Sequence, residues 1–306
     1  MLPKINPYAA LAIGVVSVST SAILVKFSAA PSGVIAFYRL FFSVLLMLPL
    51  VLFKYGPELK QIGWRDWLYS AIAGIFLAFH FILWFESLRF TSVASSTVLV
   101  TLQPLFAFAG TYLFFKERFT VKAILSGVVA IGGSVLISWG DFRVSGTALF
   151  GDLLALAACA LVTAYLMFGQ TVRKRLSLIT YTFTVYSISA LTLLIYVIAA
   201  GEPLGPYPAS DWVYFILLAL IPTLLGHTLF NWSLKWLSTS TISMAILFEP
   251  VGAAVLAYFL LGELVAWYQA AGGMIVIGGI MLFLADGRMM KRKAKKAEAS
   301  GNHPSH

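Results

Sequence analysis

The sequence predicts an all-α polytopic membrane protein, with ten transmembrane helices arranged as two inverted five-helix repeats and both termini cytoplasmic. Three observations carry that expectation. Of 306 residues, 60% are hydrophobic and 11% are charged, against about 25% charged in an average soluble domain. The apolar residues gather into ten runs near the roughly 20 residues that a helix needs to cross a bilayer. The two halves of the chain also match each other at a fixed offset, the mark of an internal repeat.

The first run, Tyr8–Phe27, is too long for the apolar region of a signal peptide. No small-residue cleavage site with a polar start follows it, so it reads as a retained helix. Val34–Phe53, Trp67–Leu88, Ser92–Phe115 and Val121–Trp139 complete the first half. Ala148–Gly169, Thr180–Ala200, Trp212–Asn231, Thr239–Leu261 and Trp267–Ala285 make up the second. Two repeats are therefore expected at 8–139 and 148–285, followed by a basic, disordered cytoplasmic tail at 286–306. Only the connections Lys54–Asp66 and Gly201–Asp211 are long enough to hold polar structure, so no soluble domain fits. The single cysteine, Cys159, excludes a disulfide within the chain and argues against a Cys/His metal site.

The chain carries 21 Lys+Arg against 12 Asp+Glu, a net charge of +9. The excess lies in short loops and the tail, which points to membrane orientation rather than nucleic acid. With a cytoplasmic N-terminus, the inner side holds Lys4, Lys54, Lys60, Arg65, Lys116, Arg118, Lys122, Arg173, Lys174, Arg175 and Lys235. The tail adds six more basic residues between Arg288 and Lys296, a stretch suited to anionic lipid. The outer side holds only Arg89 and Arg143. This asymmetry sets the orientation. Trp64, Trp67, Trp232 and Trp236 would mark the inner interface, and Trp139, Trp212 and Trp267 the outer.

Shifting the fourth and fifth runs by about 146 residues lays them on the ninth and tenth without a gap. Pro104 meets Pro250, Ala107 meets Ala253, Tyr112 meets Tyr258 and Glu117 meets Glu263. Gly127, Gly132 and Gly133 meet Gly273, Gly278 and Gly279. Ser87-Leu88-Arg89 meets Ser233-Leu234-Lys235 at the same offset. Five spans per unit means that the second copy enters the membrane from the opposite side. That plan recurs in secondary transporters and puts a solute site near the midplane, between the units.

On this doubled unit, on Ala36-Phe37-Tyr38-Arg39 at the start of the second helix, and on the Pro, Glu, Gly-Gly order closing each half, the chain resembles the drug/metabolite transporter superfamily. Within it, the ten-helix EamA-type family is the match, over essentially Tyr8–Ala285. The resemblance implies transport of small metabolites, amino acids or drugs, often outward, with no cofactor. It does not name the solute.

Ionisable residues at bilayer depth are costly and mark candidate function. Glu249 lies about eleven residues into its helix, roughly 15 Å deep at 1.5 Å per residue, which is the midplane. Pro250 cannot donate to the carbonyl of Ile246, so a free acceptor lies beside a carboxylate. Gln103 and Pro104 are the symmetry mates, where Pro104 frees the carbonyl of Val100. His80 is placed just outward of centre and His227 in the inner third, and either can be a packing residue or a pocket residue. Arg39 falls near the outer end by count, where it either pairs with Glu86 or serves as an outer-cavity charge. Trp84, Tyr165 and Tyr38 are candidate cavity aromatics. Asn231 reads as interfacial, Lys26 as snorkelling, and Asp152 as a carboxylate in the first turn of the sixth helix. Ser17, Ser19, Thr20, Ser21, Thr91, Ser92, Ser95, Ser96 and Thr97 suit close helix packing or a wet cavity, and the glycines of the fifth and tenth helices a static scaffold or a homodimer contact.

Three function classes compete. A secondary transporter needs midplane polar groups at helix breaks, which are present. A membrane enzyme needs a concentrated catalytic set, but the carboxylates are scattered and two of the four histidines lie in the tail. A channel or sensor is the third. No nucleotide-binding loop occurs, so any pumping draws on an ion or solute gradient.

Overall fold

The computed structural model describes residues 5–91, 93–137, 139, 146–261 and 266–299. Lys4, Ser92, Arg143, Glu263 and residues 300–306 lie outside the described residues, as do the side chains at 288 and 290–299. Ten apolar helices follow one another: α1 (Pro7–Phe27), α2 (Ser32–Lys60), α3 (Trp64–Phe90), α4 (Ser95–Phe115), α5 (Val121–Ile137), α6 (Thr147–Val172), α7 (Leu178–Ala199), α8 (Ala209–Ser233), α9 (Thr239–Leu260) and α10 (Trp267–Gly287). Among the described residues nine have the length and composition to cross a membrane, and the described part of α5 spans 17 residues.

Short connections force neighbours to run antiparallel, and contacts between chain ends show it. At one end Ser233 Oγ meets the Pro7 carbonyl at 3.5 Å, Arg173 Nε donates to the Asn231 carbonyl at 2.9 Å, and Arg175 pairs with Asp66. In the connection expected at 54–66, helical backbone continues through Lys60. Glu58 there accepts from the Ser177 N–H at 2.7 Å and the Thr180 hydroxyl at 2.8 Å. At the opposite end the Asp211 carboxylate accepts from the Ala29 N–H at 3.3 Å, and the Tyr38 hydroxyl donates to the Leu204 carbonyl at 2.7 Å. Tyr38 therefore belongs to this end and not to a central cavity.

Packing joins the halves. α3 lies along α6 and α1 along α8, α2 packs on α7, and α5 packs on α10. A large apolar core fills the space among α1, α2, α3, α6, α7 and α8. A smaller one joins α5 and α10 to α4, α6 and α9. α4 and α9 contribute to both cores and so run along the seam between them. The helix begun at Trp267 continues to Ala299, so the tail expected to be disordered from 286 starts on a helical backbone.

Five helices depart from a regular ladder. α2 widens to a π-helical stretch over Val51–Tyr55 just after Pro49, and each of the other four departs for a local reason. α4 breaks at Leu102 and restarts at Gln103-Pro104, and α9 breaks at Leu247–Phe248 and restarts at Glu249-Pro250. In both, the proline supplies no N–H to the preceding turn. α1 breaks at Ser19–Thr20, where hydroxyls compete for carbonyls: Ser17 binds Ile13, Ser19 binds Val15 and Thr20 binds Ser17. α8 widens to a π-helical stretch over Ala219–His227 around Pro222. The Leu218 carbonyl, which Pro222 cannot reach with a donor, instead accepts from the Thr223 hydroxyl at 2.8 Å.

Candidate functional site

The breaks converge. Restarting at the proline makes Gln103 and Glu249 the first residues of two half-helices, whose N-terminal ends carry partial positive charge. Both line one cavity of about 20 Å³. His80 and Trp84 on α3, His227 and Phe230 on α8, Val162 and Leu166 on α6, and Val18, Val100 and Ile246 complete the wall. Every one of these residues is buried. The cavity admits a single water-sized centre, so this conformation is closed on a site too small for a whole solute. Two larger recesses, about 370 Å³ beside Lys26 and Arg89 and about 360 Å³ beside Glu117 and Asp286, open at opposite ends and share no lining residue with it.

The repeat offset organises the wall. The step of about 146 residues that pairs Pro104 with Pro250 also pairs Gln103 with Glu249, Val100 with Ile246 and Trp84 with Phe230. These last two pairs were readable from the sequence at the same offset, yet they pass unnoticed because apolar residues match often by chance.

Five of the seven residues expected to contact a solute or ion therefore stand together: Glu249, Gln103, His80, His227 and Trp84. His80 donates its Nδ1–H to the Ala158 carbonyl at 3.0 Å, which leaves Nε2 as the acceptor of the neutral ring. Its ring stacks 5.8 Å from that of Trp84. His227 was placed in the inner third, yet it shares the cavity with His80. The wide turns of the π-helical stretch advance less per residue than the regular helix assumed in counting. Tyr165 does not line the cavity. It stands behind His227, ring centroids 6.5 Å apart, and donates to Asn231 Oδ1 at 2.6 Å. Asn231 is fully buried and is not interfacial as expected, because it receives both this bond and that from Arg173.

Arg39 also departs from expectation. Glu86 pairs with Arg89 at 3.2 Å, and Arg39 lies fully buried in the bundle. Its Nε donates to Thr223 Oγ1 at 2.6 Å and its Nη1 to Ser21 Oγ at 2.9 Å. The guanidinium lies 4.2 Å over the Phe81 ring, a cation–π arrangement, and Phe81 in turn packs against both His80 and His227. Among the described residues it makes no ion pair. Thr223 was the residue missed, while Ser21 was expected only for close packing or a wet cavity. A signal existed for Thr223, since Pro222 interrupts an otherwise apolar run just before His227. Asp152, expected in a first turn, lies six residues beyond the helix start at Gly146, with Oδ1 buried and without a partner among the described residues.

Comparison with known proteins gives this geometry a family. The profile of the EamA-like transporter family matches residues 6–139 and again 149–285. The chain belongs to the EamA-like transporter family. Among similar proteins, an uncharacterized transporter of Archaeoglobus fulgidus is 23% identical over 275 residues, covering 90% of this chain and 94% of its own. The uncharacterized transporter YyaM of Bacillus subtilis is 25% identical over 271 residues, covering 86% and 88%. One solved structure shares the fold at a TM-score of 0.75 and 17% identity, covering 92% of this chain and 99% of that one. This EamA chain is thus a multi-pass membrane transporter, and its polar cavity lies where α4 and α9 break.

Proposed function

We propose that the protein is a secondary transporter that carries small organic solutes, amino acids or related metabolites, out of the cell by alternating access. The observation that carries this reading is the convergence of polar residues from both halves on one small, buried-walled cavity at two proline-broken helices. A site held by two half-helices is reached from either side when one group of helices rocks against the other. The recesses at opposite ends are the vestibules of that movement. Glu249 is the ion site: a carboxylate at the midplane, facing solute space, exchanges a proton for cargo. His80, His227, Trp84 and Gln103 line the route, while Arg39 and Tyr165 hold the wall from behind.

The connections bearing Lys54, Lys60, Arg65, Arg173, Lys174, Arg175 and Lys235 all gather at the end where α1 begins, which supports both termini being cytoplasmic in the plasma membrane. The outward direction rests on the family resemblance. A homodimer and anionic lipid at the basic helix after Ala285 are further parts of the reading.

Solute flux in proteoliposomes tests it. A panel of amino acids, amines and organic acids is offered with and without an imposed pH gradient. Saturable flux driven by the gradient in the native chain, and uncoupled from it in Glu249→Gln, is the expected result. Absence of saturable flux from folded protein contradicts it.

A further inference from the structure

The central cavity contains buried polar atoms that the protein leaves unsatisfied. Among the described residues, Gln103 Oε1, His227 Nδ1 and Trp84 Nε1 are buried without a hydrogen-bond partner. All three belong to residues of the cavity wall, and Gln103 and His227 are themselves at least nine-tenths buried. Orphaned buried polar atoms cost stability unless something fills the gap. Their chemistry is not mixed at random. Gln103 Oε1 is an acceptor, and His227 Nδ1 is one when the ring proton sits on Nε2. The Glu249 carboxylate is an acceptor, and so is His80 Nε2, because Nδ1–H is committed to the Ala158 carbonyl. Four acceptors thus arrive from four helices, α3, α4, α8 and α9, around a space that admits one water-sized centre. Trp84 Nε1 is a donor and takes no part in holding a cation.

We infer that this cavity receives a primary ammonium group: the acceptors of Glu249, Gln103 and the two histidines satisfy three N–H donors on one small charged centre. The inference rests on the transport reading and names the part of the solute that the site recognises. A water fits the volume too, but it supplies only two donors and no charge opposite Glu249. A quaternary ammonium supplies the charge but no donors, and four carbon substituents exceed the space. The remainder of the solute lies outside the present cavity, against Val18, Val100, Phe230 and Ile246, once the half-helices of α4 and α9 separate. Specificity follows from the asymmetry of acceptor chemistry: a site built to accept hydrogen bonds rejects a ligand lacking them far more sharply than one lacking a methyl group.

A methylation series on the full-length protein tests this. Propylamine, its N-methyl and N,N-dimethyl derivatives, N,N,N-trimethylpropylammonium and uncharged 1-butanol are titrated at neutral pH, and the thermal midpoint of the purified chain is followed. A ligand that binds only folded protein raises that midpoint with concentration. Propylamine should stabilise, each added methyl should weaken the effect, and the quaternary ion and butanol should give none. Gln103→Leu should need about tenfold more propylamine, and Glu249→Gln should abolish the response. Equal stabilisation by the quaternary ion overturns the inference, as does equal stabilisation by butanol. No response to any member also overturns it and leaves a cavity for water only. The native series decides even if a variant fails to fold. Saturable flux of a solute without an amine, lost in Glu249→Gln, would remove the ammonium assignment and leave the transport reading standing. Absence of saturable flux for every solute would remove the transport reading itself.

Discussion

Where α5 crosses α10, equivalent positions of the two halves behave alike. A Cβ on Gly133 would lie 2.7 Å from the Gly272 carbonyl oxygen, and one on Gly279 would lie 2.8 Å from the Ala130 nitrogen. Their neighbours Gly132 and Gly278 face open space on both helices. At the midplane, equivalent positions differ. Gln103 and Glu249 hold the same place at the start of a half-helix, one neutral and one acidic, and Trp84 faces Phe230 across the same cavity. The stem can remain symmetric because its task is the same from both sides: two backbones in contact leave little freedom to move. On the proposed function the centre has to distinguish one cargo end from the other and one ionic state from the other, which two identical halves do less well. On that reading, symmetry kept marks what is static and symmetry lost marks what works.

Several variants would break or sharpen that contrast. Glu249→Gln makes the two breaks alike, and gradient-driven flux should fall at least about tenfold while the thermal midpoint holds or rises, since a buried carboxylate is removed. Flux and midpoint measured on the same preparation check both halves of the statement. Gly133→Leu drives a side chain into the backbone of α10 and should cost several kcal/mol, above the roughly 1–3 usual for overpacking. Gly132→Leu, one residue away and facing open space, should be nearly neutral, and thermal denaturation of the pair reads the difference. Thr223→Val leaves Arg39 Nε without its acceptor and reopens the Leu218 carbonyl, for a loss of about 1.5–3 kcal/mol by the same assay. The smallest effect belongs to Glu202, in the connection between α7 and α8. Burial, and then the charge of Glu86, raises its pKa. The folded state therefore holds this proton to higher pH than the unfolded chain, and stability declines as pH rises between the two pKa values. A midpoint-against-pH series should lose part of that slope in Glu202→Gln, modestly because the group is partly exposed.

Depth was legible in the sequence except along the π-helical stretch that carries His227, and rotation about the helix axis was not. Counting residues from the end of a run placed Glu249, Gln103 and His80 near the middle, where they are found, and the proline signals located both breaks. Direction around the axis is set by packing, which is why Arg39 was drawn toward Glu86 by nearness in depth. The structure instead turns it inward onto Thr223 and Ser21. Asn231 failed for the same reason: its place near a helix end said nothing of the tyrosine and arginine that bury it. The π-helical stretch of α8 escaped because one proline in an apolar run does not by itself say whether the ladder kinks, breaks or widens. The basic stretch after α10 was expected to be disordered because the change from apolar to basic marks where a helix leaves the bilayer, and a helix outside it can continue.

The central claim is that one cavity at the breaks of α4 and α9 opens in turn to each side. Accessibility of a single cysteine tests it most directly. With Cys159→Ala as background, Ile246→Cys places a thiol in the cavity wall, and a membrane-impermeant thiol reagent is applied to right-side-out and to inverted vesicles. The account predicts labelling from both sides, slowed from both by a transported solute. Labelling from one side only, in a variant that still transports, would contradict it.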